Sequence, residues 1–124
     1  MFKVQMIDKN IGIVGYGKMG KLLANIFSKK FKIGVYSPDS SIDEYRNFES
    51  LEDLFNNSDI ICIAISRRDT IDVLDILSNI ESCEEKIIFD ISTFKEGLME
   101  KYRNFPPNVK VASIHPMFGE GIDS

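Results

Sequence analysis

Apolar positions along this 124-residue chain switch repeatedly between two periods. Ile11-Gly12-Ile13-Val14 is a short β-branched run ending in glycines, the pattern of a buried parallel strand. Met19, Leu22, Leu23, Ile26 and Phe27 then recur at helical spacing and predict a helix of about three turns with those five side chains inward. Phe31 to Tyr36 predicts a second strand, stopped by Ser37-Pro38-Asp39-Ser40, and a brief strand is expected near Arg46 to Phe48. Ser50-x-x-Asp53 has capping-box spacing and opens a short helix through Leu54 and Phe55. Asp59 to Ile65 is apolar on both faces, as a central parallel strand must be. A helix from about Arg68 to Ile80 should turn Ile71, Leu74, Leu77 and Ile80 inward, and Lys86 to Asp90 predicts a further strand. Thr93-x-x-Glu96 is a second capping-box pattern, opening a helix toward Tyr102 that Pro106-Pro107 ends before a last strand from Val109 to Ile114. Strands alternating with helices mean βαβ units, so the expected fold is α/β: a doubly wound, mainly parallel sheet with helices on both faces.

Composition narrows what such a domain does. Hydrophobic residues make up 44% of the chain, enough for one core and one domain. Fifteen Lys and Arg against nineteen Asp and Glu leave a net charge of −4, which argues against nucleic acid, since phosphate backbones need a basic face. Cys62 and Cys83 form no CxxC pair, and one histidine completes no zinc set, so no metal site is expected. Cys62, in an apolar run, reads as a small buried hydrophobe. The N-terminal residues contain no signal-peptide core, and the apolar run Ile60 to Ile65 is too short to span a bilayer. A cytoplasmic location without membrane contact is the expectation.

The candidate chemistry begins at Gly15-Tyr16-Gly17-Lys18-Met19-Gly20, a G-x-G-x-x-G sequence directly after the first strand and directly opening the first helix. In that context Gly15 allows the tight turn, Gly17 lets a pyrophosphate approach the backbone, and Gly20 lets helix and strand pack closely. The helix N-terminus adds unpaired N–H groups and a partial positive charge. This Rossmann-type arrangement points to NAD or NADP; a glycine-rich turn in a nucleotide-free domain is the bland alternative. An acid at the end of the second strand would accept from the ribose 2′-hydroxyl of NAD, but that position falls on neutral Ser37, with Asp39 two residues on. No arginine adjoins it to favour NADP, so the choice between the two stays open.

His115-Pro116-Met117-Phe118-Gly119 follows the last strand, and Asp90-Ile91-Ser92-Thr93-Phe94-Lys95 follows the fifth. Ligands of open α/β sheets gather outside the carboxyl ends of the strands, so His115 and Thr93 share an edge with the glycine loop. An imidazole titrating near 6.5 can exchange a proton at neutral pH, although a lone histidine is more often structural. Capping explains Thr93 without chemistry.

IGIVGYGKMG, DISTFK and SIHPMFGEG, in that order and spacing, resemble the nucleotide domain of prephenate and arogenate dehydrogenases. The resemblance implies oxidative decarboxylation of prephenate or arogenate in tyrosine biosynthesis, with hydride passing to NAD(P)+. It implies that His115 is the catalytic base and that Thr93 supports it. It also places Ile65 and Ser66, the latter where proline is usual, near the nicotinamide ribose. That family continues into a helical domain that dimerises and supplies an arginine to the substrate carboxylates. Residues 1–124 are therefore expected to be the cofactor domain alone, inactive by itself and a homodimer only in the complete protein. Two other readings fit the residues: a module that senses NAD(P), and the cofactor domain of another hydroxyacid dehydrogenase or an imine reductase.

Overall fold

The computed structural model describes residues 9–38, 42, 44–91 and 97–114. Six strands are present: β1 (Asn10–Val14), β2 (Lys32–Tyr36), β3 (Arg46–Asn47), β4 (Ile60–Ile63), β5 (Lys86–Asp90) and β6 (Val109–Ser113). Between them run α1 (Lys18–Phe27), α2 (Leu51–Asn56), α3 (Arg67–Ser78) and α4 (Leu98–Tyr102). The strands form one sheet in the order β3-β2-β1-β4-β5-β6, with every pair parallel. This is the Rossmann order, and the chain reverses direction across the sheet between β1 and β4.

Alternation along each strand divides the core into two layers. Val14, Ile61, Ile63 and Ile88 join Leu54, Phe55, Leu74, Leu77 and Leu98 on the face covered by α2, α3 and α4. Ile11, Ile13, Val35 and Cys62 meet Leu23 and Ala24 of α1 on the other. Each large side chain so buried contributes roughly 1.5–3 kcal/mol. Cys62 is the small hydrophobe its neighbours suggested: burial, aided by the charge of Asp90, pushes its thiol up to about 12.

Helix α1 departs from the expected phase. Gly20, Leu23 and Ala24 are buried, whereas Leu22 and Ile26 are 40% and 43% exposed. Gly20 sets this rotation, because its bare Cα lets the helix approach the strand there, and Leu22 and Ile26 then fall on the flank. Helix α3 keeps its expected phase more closely, with Val73, Leu74 and Leu77 buried and Ile71 and Ile80 packed at the margin. Helix α4 begins at Leu98 with left-handed Gly97 (φ 83°) as its N-cap, so the described helix starts later than the Thr93 spacing predicts; Thr93 itself lies outside the described residues.

The amino edge of the sheet is closed by polar contacts. Asn10 donates its N–H to Asp59 Oδ2 at 2.9 Å. The Lys86 ammonium, almost fully buried, donates to the Ser58 carbonyl at 2.8 Å and lies 4.8 Å from the Phe55 ring centre. Burial lowers its pKa, against the raising influence of Glu84 and Asp59. Toward the carboxyl end, the Tyr102 hydroxyl donates to the buried carboxylate of Asp90 and lies 3.1 Å from the Ala112 carbonyl, tying α4 to β5 and β6. No helix among the described residues is long and apolar enough to cross a membrane.

Candidate functional site

The carboxyl ends of β1, β2 and β4 meet at one point. Gly15 donates its N–H to the Tyr36 carbonyl at 2.9 Å, and Ala64 donates to the Val14 carbonyl at 2.9 Å. Gly15, Ser37 and Ile65 are thereby held on the same edge, at the reversal of strand order where α/β sheets bind ligands.

Each glycine of the loop does separate work. Gly15 adopts φ +102°, and a Cβ there would meet Ile65 Cγ2 at 2.5 Å and the Ala64 carbonyl oxygen at 2.7 Å. Both conformation and space therefore exclude a side chain. A Cβ on Gly20 would run into the Gly15 carbonyl oxygen, so close helix–strand packing depends on its absence. Gly17 differs, because a Cβ there would meet nothing within 4 Å. Packing does not require glycine at that position; what the missing side chain preserves is open space in front of the helix.

The helix behind that space carries no stopper of its own. Gly17 is the N-cap of α1, makes no side-chain cap, and no acid lies in the first turn. The first amides of α1 have no intrahelical acceptor, and their dipoles favour an anion by about 0.3–1 kcal/mol, more where water is partly excluded. A dinucleotide pyrophosphate fits this cradle on three counts: charge, donors and room. The residues present thus suit NAD or NADP, with Gly15, Gly17 and Gly20 shaping the approach and the α1 amides supplying donors.

The other expected site residues fall into place unevenly. Tyr16 is half-buried, set edge-on to Tyr45 at 6.4 Å between ring centres, with Lys21 Nζ 5.6 Å from its own. Burial first, then Glu44 and Tyr45, raises its phenol above the ordinary value of 10.0. Lys18 is exposed at the start of α1, while Met19 packs into the core layer beneath. Ser37 follows β2 directly, at the position expected for ribose recognition. Ile65 lies against Gly15. Ser66 is on the right edge but its hydroxyl accepts from the Asp69 N–H at 3.3 Å, making it the N-cap of α3. His115 lies outside the described residues, as does Thr93. Tyr45 was not apparent from the pattern; its aromatic neighbour at Tyr16 is a contact across 29 positions with no local signal.

Known proteins show the same architecture. A family model for the D-isomer specific 2-hydroxyacid dehydrogenase NAD-binding domain matches residues 1–88. Pyrroline-5-carboxylate reductase of Aquifex aeolicus (strain VF5) is 28% identical over 120 residues, covering 86% of this chain and 45% of that protein. Among solved structures, Plasmodium falciparum pyrroline carboxylate reductase with NADP bound superposes with a TM-score of 0.74 at 22% identity, over 90% of this chain and 43% of that one. An imine reductase from Myxococcus stipitatus in complex with NADP+ gives 0.71 at 14% identity, over 88% and 41%. The chain thus spans less than half the length of these relatives.

These matches overturn the resemblance to prephenate and arogenate dehydrogenases. Its motifs were short, and the longest of them, the glycine loop, serves any dinucleotide domain of this topology. That family no longer supports the roles expected of His115, Thr93 and Ser66; His115 and Thr93 lie outside the described residues, and the Ser66 hydroxyl caps α3. What stands is an NAD(P)-binding domain of oxidoreductase type, and by the match over residues 1–88 the chain belongs to the D-isomer specific 2-hydroxyacid dehydrogenase NAD-binding domain family.

Proposed function

We propose that this chain forms the cofactor half of a reductase that delivers hydride from NADPH or NADH to the C=N bond of a small imine. The observation that carries the cofactor part is the open space at Gly17 before an uncapped helix. The substrate part is supported by the likeness to pyrroline-5-carboxylate reductase over 120 residues. A bound nicotinamide supplies the hydride; the chain's own work is to hold the pyrophosphate, orient the ring-bearing half and keep the loop before α3 in place. Reduction of an imine also requires a proton at nitrogen. His115, two residues past the end of β6, and Thr93, three past β5, are the proposed groups near the substrate, with His115 as the proton carrier.

Oxidation of a small 2-hydroxy acid is the second reading, favoured by the family model itself. There His115 would accept the hydroxyl proton instead of giving one. Calorimetry with NADPH and NADH tests the cofactor claim, and no heat with either sinks it. Consumption of reduced nicotinamide in the presence of pyrroline-5-carboxylate, set against reduction of NAD(P)+ by 2-hydroxy acids, separates the substrate readings. Turnover with the acids alone overturns the imine assignment. His115→Asn should then lower kcat by about a hundredfold, and an unchanged kcat removes His115 from the chemistry.

A further inference from the structure

The two faces of the sheet are covered unequally. Helices α2, α3 and α4 pack on one, whereas among the described residues α1 alone packs on the other, over β1 and β2. The half of that second face toward β5 and β6 is open. Register brings Ile60, Ile87 and Lys110 into one row on it, and Cys62, Phe89 and Ala112 into the next. Ile87 is 46% exposed and Ile114, further along the chain, 44%. Helix α1 borders this half with its apolar flank. Lys21 lies over Tyr16, which meets Tyr45 just before β3, so the Lys21 side of α1 faces β2 and β3. At about 100° per residue, Ala24 shares that side, and Leu22 and Ile26 stand about 160° away from it, toward β4 and β5. Four of the six large hydrophobic side chains exposed among the described residues therefore gather on one half-face.

Shape and charge both say what fits there. Stacked sheets lie about 10 Å apart, and a helix packed on a sheet stands at that same height, so α1 forms a wall beside the space a second sheet would fill. A two-fold axis parallel to the strands and beside β5 lays β6 of each copy over β4 of the other. Ile87 and Phe89 then meet their own counterparts, and Leu22 and Ile26 close on the edge of the partner's β6. Lys110, level with Ile60, comes beside the partner's Asp59. Neither forms an ion pair among the described residues. A cavity of about 220 Å³ marks this end of the face, and its rim carries both signs, Lys9 and Lys110 with Asp59 and Glu85. A rim of mixed sign matches a second copy of itself, whereas a partner of one sign would be repelled by half of it.

We propose that this half-face is where two copies of the chain pair, packing β4, β5 and β6 face to face about a two-fold axis. Three strands about 17 Å long and about 4.8 Å apart, with the α1 flank and the β6 edge, present roughly 500 Å² per copy. Stable dimers bury about 800 Å² per copy, so this one is weak, dissociating in the micromolar range. The net charge of −4 on each copy works against it, and the two Lys110–Asp59 pairs offset that repulsion locally. Pairing requires no bound nucleotide.

Sedimentation equilibrium of the chain from about 1 to about 500 μM tests it. The mass should rise with concentration from 14.1 kDa and level off at twice that value. Ile87→Lys should hold the mass at the monomer value throughout without lowering Tm, since the side chain it replaces is exposed in the single chain. Ile87→Thr, milder within a strand, should weaken pairing several-fold, and it serves if the lysine variant does not fold. Lys110→Glu should weaken it about tenfold, and less at high salt. Ile76→Lys is the control, because Ile76 is 49% exposed on α3, on the opposite face, and should leave pairing unchanged. A chain that stays monomeric over the whole range, or a mass that climbs past the dimer, would overturn the proposal. So would pairing that survives both Ile87 variants, or that Ile76→Lys weakens equally.

Discussion

Helices α1 and α3 both begin at the carboxyl edge of the sheet, after neighbouring strands, and their first turns are built in opposite ways. Helix α3 is closed: the Ser66 hydroxyl caps it and Asp69 places a carboxylate in its first turn. Helix α1 has neither, only Gly17 and vacant space ahead. Helix α2, away from the strand reversal, follows the closed pattern, with Ser50 accepting from Asp53 at 3.0 Å and Glu52 beside it. A cap such as Ser66 is worth about 1 kcal/mol to the folded chain. At α1 the chain forgoes that stability, and what it keeps is a set of donors and a dipole available to an outside anion. The distinction is therefore between a helix stabilised by its own side chain and one left for a ligand to stabilise.

The comparison breaks most severely if the loop that opens α1 cannot form. Gly15→Ala should cost about 2–5 kcal/mol, combining a positive φ with contacts to Ile65 and the Ala64 backbone that have no room to yield. Urea denaturation measures this, and a loss under 1 kcal/mol would mean that the loop is not set as described. Gly17 should behave differently although it belongs to the same motif. Gly17→Asp gives α1 the acidic cap that α3 nearly has, so stability should hold or rise while NAD(P)H affinity falls about a hundredfold. Calorimetry beside a melting curve reads both. Affinity retained in this variant would show that the dinucleotide does not use the cradle.

How far the chain could be read in advance follows the same division between local and distant causes. The strands, their parallel pairing and the glycine loop were evident because each is signalled by a few consecutive residues. The capping role of Ser50 was evident for the same reason. Leu22 and Ile26 were misplaced because the rotation of α1 is decided by Gly20 against the Gly15 carbonyl, a contact that periodicity does not register. Family likeness placed Ser66 near the cofactor, and it gave no sign that the hydroxyl caps α3. Lys86 was counted simply as the start of a strand, yet its ammonium is buried against Phe55 and Ser58, residues about 30 positions away. Short motifs misled the family assignment in a related way, since the physics of the glycine loop is common to every dinucleotide domain of this order.

Opening α3 is the converse test, with a smaller effect. Ser66→Ala should cost about 1 kcal/mol of stability and leave NAD(P)H affinity within about twofold, because the hydroxyl serves Asp69 rather than a ligand. A large loss of affinity with intact stability would return Ser66 to the cofactor site. The affinity measurement separates the two roles, since a capping serine and a ligating serine both tolerate threonine but only the second is felt by the nucleotide.

The smallest effect is expected at Tyr16, whose phenol stands between the glycines of the open helix. Its pKa lies above 10.0 because burial, Glu44 and Tyr45 all disfavour the phenolate. A group raised on folding has its full stabilising contribution below the unfolded value and loses it as pH climbs past that value, so the phenol's contribution should not change between pH 7 and 9. Beyond about pH 10 the unfolded chain ionises first and stability should begin to fall; at higher pH still, the phenolate would set a negative charge beside the cradle and weaken dinucleotide binding. Tyr16→Phe removes the phenol's share of both alkaline effects, leaving the loss of stability above about pH 9 that the raised Cys62 thiol contributes, and near neutrality it should shift NAD(P)H affinity by less than about twofold, since the edge-on packing against Tyr45 survives the loss of the hydroxyl. Equilibrium melts and binding isotherms across that pH range, in both proteins, measure the difference. An alkaline loss of binding that persists unchanged in Tyr16→Phe would place the responsible proton elsewhere and leave the cradle's charge set by the α1 amides alone.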